Sequence, residues 1–159
     1  MIIISDTTPL HYLILIDEVR ILPSLLGKVV IPTEVFSELS ALKTPQKIKD
    51  YLSVVPDWLS IRKPISVIDE ELNEIDPGER AAILLAEELA ADGILIDDLA
   101  GRRIASARGL RVIGTLGLIE AAGERGLLKV NDTLDRMIKA GFYVSRSLEL
   151  QIRNRNTAN

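Results

Sequence analysis

Apolar and polar positions follow two rhythms along the chain. Short apolar runs rich in β-branched residues occur at residues 1 to 5, 28 to 31, 94 to 96 and 110 to 113, the first with three consecutive isoleucines. Such runs fit buried, pleated strands better than helices. Between them, apolar residues recur at helical spacing or lie within stretches rich in Ala, Leu and Glu. These predict helices over 8 to 16, 34 to 42, 45 to 52, 79 to 91 and 99 to 108. Residues 58 to 62, flanked by Pro56 and Pro64, read as an edge element.

The punctuation agrees with this division. Thr8 and Pro9 make a helix start, Pro32 ends a strand with Thr33 as the next cap, and Asp76, Pro77 and Gly78 make a turn. Asp92 with Gly93, and later Gly109, close helices, while Thr115 is placed to cap another. From residue 126 onward, helices are expected at 133 to 140 and near 147 to 155, either covering a groove or extending the core. Strands alternating with helices imply an α/β fold, a three-layer α/β/α sandwich with a central parallel sheet and right-handed crossovers. No repeat or Gly/Ser-rich linker divides the 159 residues, so one domain over 1 to 159 is expected.

Composition narrows the chemistry. The apolar fraction is 47% but aromatics make up only 4%, so stacking platforms for bases are scarce. Cysteine is absent, which excludes a disulfide scaffold and any thiolate metal site in these residues and suits a reducing cytoplasm. The opening lacks a basic leader, and Asp6, Pro9 and His11 interrupt its apolar residues, so neither a signal peptide nor a membrane span is expected. A net charge of −4 is unlike that of a basic nucleic-acid binder. Basic residues do cluster at Arg102, Arg103, Arg108 and Arg111, and again at Arg146, Arg153 and Arg155. Each cluster serves equally as a solvated helix face.

In an open parallel sheet, ligands gather beyond the carboxyl ends of the strands. The acids there are Asp6, Asp97 and Asp98. Asp6 can also serve as a turn cap, but Thr8 can do that. Adjacent Asp97 and Asp98 concentrate like charge that cations or donors must offset. In the helix after Thr33, Val35, Leu39 and Leu42 mark an apolar stripe at i, i+4 and i+7, and Glu38 at i+3 shares it. Glu79 lies beside Ala82, Ile83 and Ala86, on the apolar side of its helix, although an acid in the first turn also complements the helix dipole. Glu34 in a first turn reads as structural.

Carboxylates converging in this way want hard cations, and oxygen-only ligation selects Mg²⁺ or Mn²⁺ over zinc. The chemistry to expect is phosphodiester hydrolysis by metal-activated water. His11, among apolar residues of the first helix, reads as a packed histidine rather than a base.

These residues resemble the PIN domain family, metal-dependent ribonucleases that include VapC-type toxins. IIISDTTPL resembles the first strand with its acid, Asp6, and adjoining Ser or Thr, Thr7; IPTEVFSEL resembles the segment whose glutamate falls on Glu38. DPGERAAILLAEELAADGILIDD resembles the stretch with the third and fourth acids, placing them on Glu79, where the family often has aspartate, and on Asp98, with Asp97 as the alternative. GTLGLIEAAGERGLL resembles a prokaryotic PIN-like subgroup of mostly unassigned function. The likeness is clearest over residues 1 to 125, with 126 to 159 as a C-terminal helical extension. It implies a PIN-type sandwich, often a homodimer, with an antitoxin partner if the protein is a toxin. Thr7, Arg102 and Arg103 are the candidates for contact with substrate.

Two other readings stay open. A Mg²⁺-dependent phosphoaspartate enzyme also uses acids at strand ends, but Asp6 is followed by two threonines and no lysine follows the 110 to 113 strand. A catalytically silent PIN-like binding module would use the acids only as caps and surface charge.

Overall fold

A computed structural model describes residues 1–66 and 69–157; residues 67, 68, 158 and 159 of the expected domain lie outside it. Five parallel strands form one sheet in the order β3-β2-β1-β4-β5, where β1 is Ile2–Ser5, β2 Lys28–Pro32, β3 Leu59–Arg62, β4 Gly93–Leu95 and β5 Val112–Ile113. Successive strand residues face opposite sides. Ile3, Val29, Ile31 and Leu95 therefore enter one apolar cluster, while Ile4 and Ile94 enter the other. Both faces are buried, which is why the strands read as continuous apolar runs.

Helices cover the two faces unequally. On the first lie α1 (Thr7–Leu15), α2 (Ile21–Leu26), α3 (Thr33–Leu39), α4 (Gln46–Leu52), α7 (Thr115–Glu124) and α8 (Val130–Lys139), with Ile152 of α9 (Arg146–Arg155) packed against them. On the second lie α5 (Pro77–Glu88) and α6 (Leu99–Ala107), with a 3-10 turn at Glu70–Glu74. The result is the expected three-layer α/β/α sandwich. The Arg108 guanidinium gathers Asp69, Glu71 and Glu87, tying the segment before α5 to the end of α6. No helix among the described residues is long and apolar enough to cross a membrane.

Several expectations need correction. The helix carrying Glu38 ends at Leu39 rather than 42, because Ser40 terminates it and the Thr44 hydroxyl takes the Glu38 carbonyl at 2.8 Å. Leu42 is consequently 97% exposed and belongs to no buried stripe. Thr8 caps nothing by its side chain, since Asp6 occupies the N-cap position of α1. Helix α2 lies in a stretch for which no element was expected, and it carries Pro23 in its first turn, where proline is tolerated. The last strand shrinks to Val112–Ile113. The edge element of residues 58 to 62 is the outer strand β3.

Candidate functional site

The strand order reverses direction between β1 and β4: the chain winds outward from β1 through β2 to β3, then returns to the other side of β1. A crevice opens at the carboxyl ends of the strands at such a point. Asp6 leaves β1 there, its amide donating to the Leu95 carbonyl at 2.9 Å, and Asp97 and Asp98 leave the neighbouring β4. Glu38 reaches the same place from α3, and Glu79 from the first turn of α5.

Asp6 is 5% exposed, and although it stands at the N-cap of α1 its carboxylate makes no side-chain cap bond. Burial pushes this carboxyl up to about 7 against the opposing pull of the Thr7 amide, and the charges of Glu38, Asp97 and Asp76 raise it further. Glu79 is 7% exposed and is pushed up to about 8, first by burial, then by Asp6, Asp98 and Asp76. Its Oε2 is buried without a hydrogen-bond partner. No basic residue offsets either acid among these causes.

Two glycines make room for the acids. A β-carbon at position 78 would fall 2.6 Å from Glu38 Oε1, and one at position 101 would fall 2.8 Å from Glu79 Oε2. Glu38 thus lies over the first turn of α5, Glu79 over the first turn of α6. An anion near a helix N-terminus is favoured by the dipole. Glu38 is held from its other side by the Thr7 hydroxyl, which donates to Oε2.

Asp97 and Asp98 are less free than expected. Asp97 accepts the Thr115 amide at 2.8 Å and the Thr115 hydroxyl at 2.6 Å, so it is the aspartate that caps α7 and the threonine that is capped. Burial raises the Asp97 carboxyl, while Thr115 and the charge of Arg102 oppose the rise. Asp98 caps α6 through Oδ2, which accepts the Gly101 amide at 3.0 Å. Donors therefore relieve part of the crowding at this pair, and burial is least compensated at Asp6 and Glu79.

The remaining candidates separate. Thr7 and Arg102 stand at the acids, the latter with Nη1 donating to the Ile96 carbonyl at 3.1 Å. Arg103 is exposed and lines an adjoining hollow with Ser106, Ala107 and Val112, a hollow that Arg102 also borders. His11 is half-buried against Tyr12, outside the acids' groove, and burial lowers its pKa. Sequence reasoning missed Asp76, which lines the groove with Glu79, Asp97 and Asp98. It was read only as a turn residue, although its place three residues before Glu79 was visible. Gly78 and Gly101 were missed as well, and only packing reveals them.

An all-oxygen set with a buried, orphaned carboxylate oxygen fits a hard divalent cation. As the side chains lie, no three acids among the described residues are already gathered for one ion, so loading requires their rotamers to close in. The groove, about 920 Å³, is lined in part by residues between Gly141 and Ile152. Helix α8 therefore extends the core, while α9 and the segment before it border the site.

No curated protein matches the chain significantly. A family model described as PIN domain matches residues 2–157, running through the C-terminal helices beyond the motifs that carry the resemblance, and the chain belongs to the PIN domain family.

Proposed function

We propose that the chain is a Mg²⁺- or Mn²⁺-dependent endoribonuclease hydrolysing phosphodiesters at the groove between β1 and β4. PIN domains are generally nucleases and typically bind divalent metals. The observation that carries the proposal is the burial of Asp6 and Glu79, whose carboxyls are pushed up first by desolvation and then by neighbouring acids, Asp6 among those acting on Glu79, while neither forms an ion pair among the described residues. A divalent cation bound there supplies an acidified water and offsets negative charge on the phosphate.

Each side chain then has a task. Asp6 and Glu79 would hold the cation, with Glu38 kept in reach by Thr7, and Asp98 contributing the oxygen that Gly101 leaves unused. Asp97 would act chiefly through structure, fixing the start of α7 and the floor of the groove. Arg102 offers the cleft a fixed positive charge for a phosphate. An antitoxin and a second copy of the chain belong to this proposal as partners.

The separation of the acids and the capping by Asp97 and Asp98 favour a second reading, a silent PIN-like binding module. One experiment divides the two. In the first reading, Mn²⁺ raises the melting temperature by mass action, by about 2.7 kcal/mol of stability at a hundredfold excess over Kd. Mn²⁺-dependent cleavage of RNA is then lost in Asp6→Asn and Glu38→Gln variants that still fold. Absence of both the thermal shift and the cleavage in the wild-type chain returns the protein to the binding class.

A further inference from the structure

The groove's lining joins two chemistries. Asp76, Glu79, Asp97 and Asp98 make an acidic bank, and Tyr143, Leu148 and Leu99 of α6 add apolar surface to the same groove. Tyr143 is 85% exposed and Leu99 is 62% exposed. Single exposed apolar residues are ordinary, but here they share one cleft with a candidate catalytic cluster. In a chain with only 4% aromatic residues, an exposed ring at that place is a specific feature.

The ring has a firm mount. Phe142, next to it, is buried edge-on against Tyr12 with centroids 5.3 Å apart and planes at 87°. The Phe142 amide donates to the Met137 carbonyl at 3.0 Å, and the Tyr12 hydroxyl donates to the Gly141 carbonyl at 3.3 Å. Two residues on, Ser145 starts α9 by accepting the Leu148 amide. The backbone on both sides of Tyr143 is thus held, so only the two side-chain torsions of the ring have to be ordered when a ligand covers it.

We propose that Tyr143 is the stacking platform for an unpaired base of single-stranded RNA whose backbone runs along the acidic bank, an inference that rests on the nuclease reading. Phosphates are repelled by the acids except where a cation or Arg102 receives them, whereas every base offers a flat π-face. A strand crossing the groove therefore turns its bases toward Tyr143 and its phosphates toward the loaded acids. A duplex keeps its bases paired inward and cannot present one to the ring, so Tyr143 would select single strands and loops.

The test uses the full chain in Ca²⁺, with the strand shown intact afterwards, and reads anisotropy of a labelled oligouridylate, the same strand with one abasic site, and a duplex. Tyr143→Ala should weaken binding of the intact strand by roughly tenfold, Tyr143→Phe should not, and an abasic site under the ring should erase the difference. In turnover with Mn²⁺, Tyr143→Ala should raise KM more than it lowers kcat. Equal affinity of wild type and Tyr143→Ala for the intact strand overturns the proposal, even if cleavage still depends on Asp6. Loss of affinity in Tyr143→Ala without any metal-dependent cleavage by the wild type keeps the platform and removes the nuclease reading. Release of a bound protein by Tyr143→Ala at unchanged RNA affinity assigns this surface to protein docking and also overturns the proposal.

Discussion

The Thr7 hydroxyl donates to Glu38 Oε2, joining the first turn of α1 to the last turn of α3 across the carboxyl end of the sheet. Glu38 has Gly78 on its other side, so its carboxylate is held between a hydroxyl and a helix backbone. A hydrogen bond to a charged group contributes about 1.5–3 kcal/mol, enough to decide which rotamer a half-buried glutamate adopts. Thr7→Ala should therefore lower metal-dependent cleavage by at least about tenfold, with Thr7→Ser restoring it. Stability should fall by no more than about 1.5–3 kcal/mol, and by less where water replaces the hydroxyl at this part-buried site. Wild-type rates in Thr7→Ala would show that Glu38 needs no such support.

Gly101 and Gly117 offer a paired test of packing at the acids. Both lie within helices, where glycine costs roughly 0.5–1 kcal/mol relative to alanine. A β-carbon at 117 meets nothing within 4 Å, so Gly117→Ala should stabilise by about that amount. At 101 it would lie 2.6 Å from Ile96 Cδ1 and 2.8 Å from Glu79 Oε2, and the buried neighbours have little room to yield. Overpacking of this kind costs about 1–3 kcal/mol, so Gly101→Ala should destabilise and should also displace Glu79. Urea unfolding of both variants checks the opposite signs, and a Gly101→Ala protein as stable as wild type would mean that Glu79 moves freely.

Much of this site was legible because strands and helices repeat with fixed periods. Apolar runs with β-branched residues marked β1, β2 and β4, and the acids after β1 and β4 had to emerge at one end of a parallel sheet. Glu38 and Glu79 were found because each shares a helix face with buried residues, Val35 and Leu39 for the first, Ala82, Ile83 and Ala86 for the second. What could not be read depends on contacts between distant segments. That Asp97 finds donors, as Asp98 does at the start of α6, depended on where α7 begins, eighteen residues from Asp97. The room at Gly78 and Gly101 exists only once α3 packs on α5 and α5 on α6. Leu42 was misplaced because helical period alone does not locate a helix end, which here is set by Ser40 and Thr44. Tyr143 joined the groove only because Phe142 anchors on Tyr12, a contact across 130 residues of chain.

The raised carboxyls also dictate how the metal-free fold responds to pH. Asp6 moves from 3.8 to about 7 and Glu79 from 4.5 to about 8, so across that interval the native state holds protons that the unfolded chain has released. Stability then falls as pH rises, because the slope follows the difference in bound protons between unfolded and native states. The contribution of each group is intact below its unfolded value, shrinks through the window and is gone above its folded value. Asp6→Asn removes one such loss and, by deleting a charge that raises Glu79, lessens the other. Acids whose pKa is lowered, such as Glu120 beside Arg155, weaken the fold on the acid side in both proteins and cancel in the comparison. In chelator, the variant should therefore melt close to wild type near pH 4 and above it by several degrees near pH 8.5, at roughly 2–4 °C per kcal/mol for a chain of this size. Added Mn²⁺ should reverse the order at high pH, since the wild type gains a ligand the variant holds poorly. A difference between the two proteins that stays constant from pH 4 to 8.5 would show that Asp6 is ionised throughout and that its charge is already compensated in the fold.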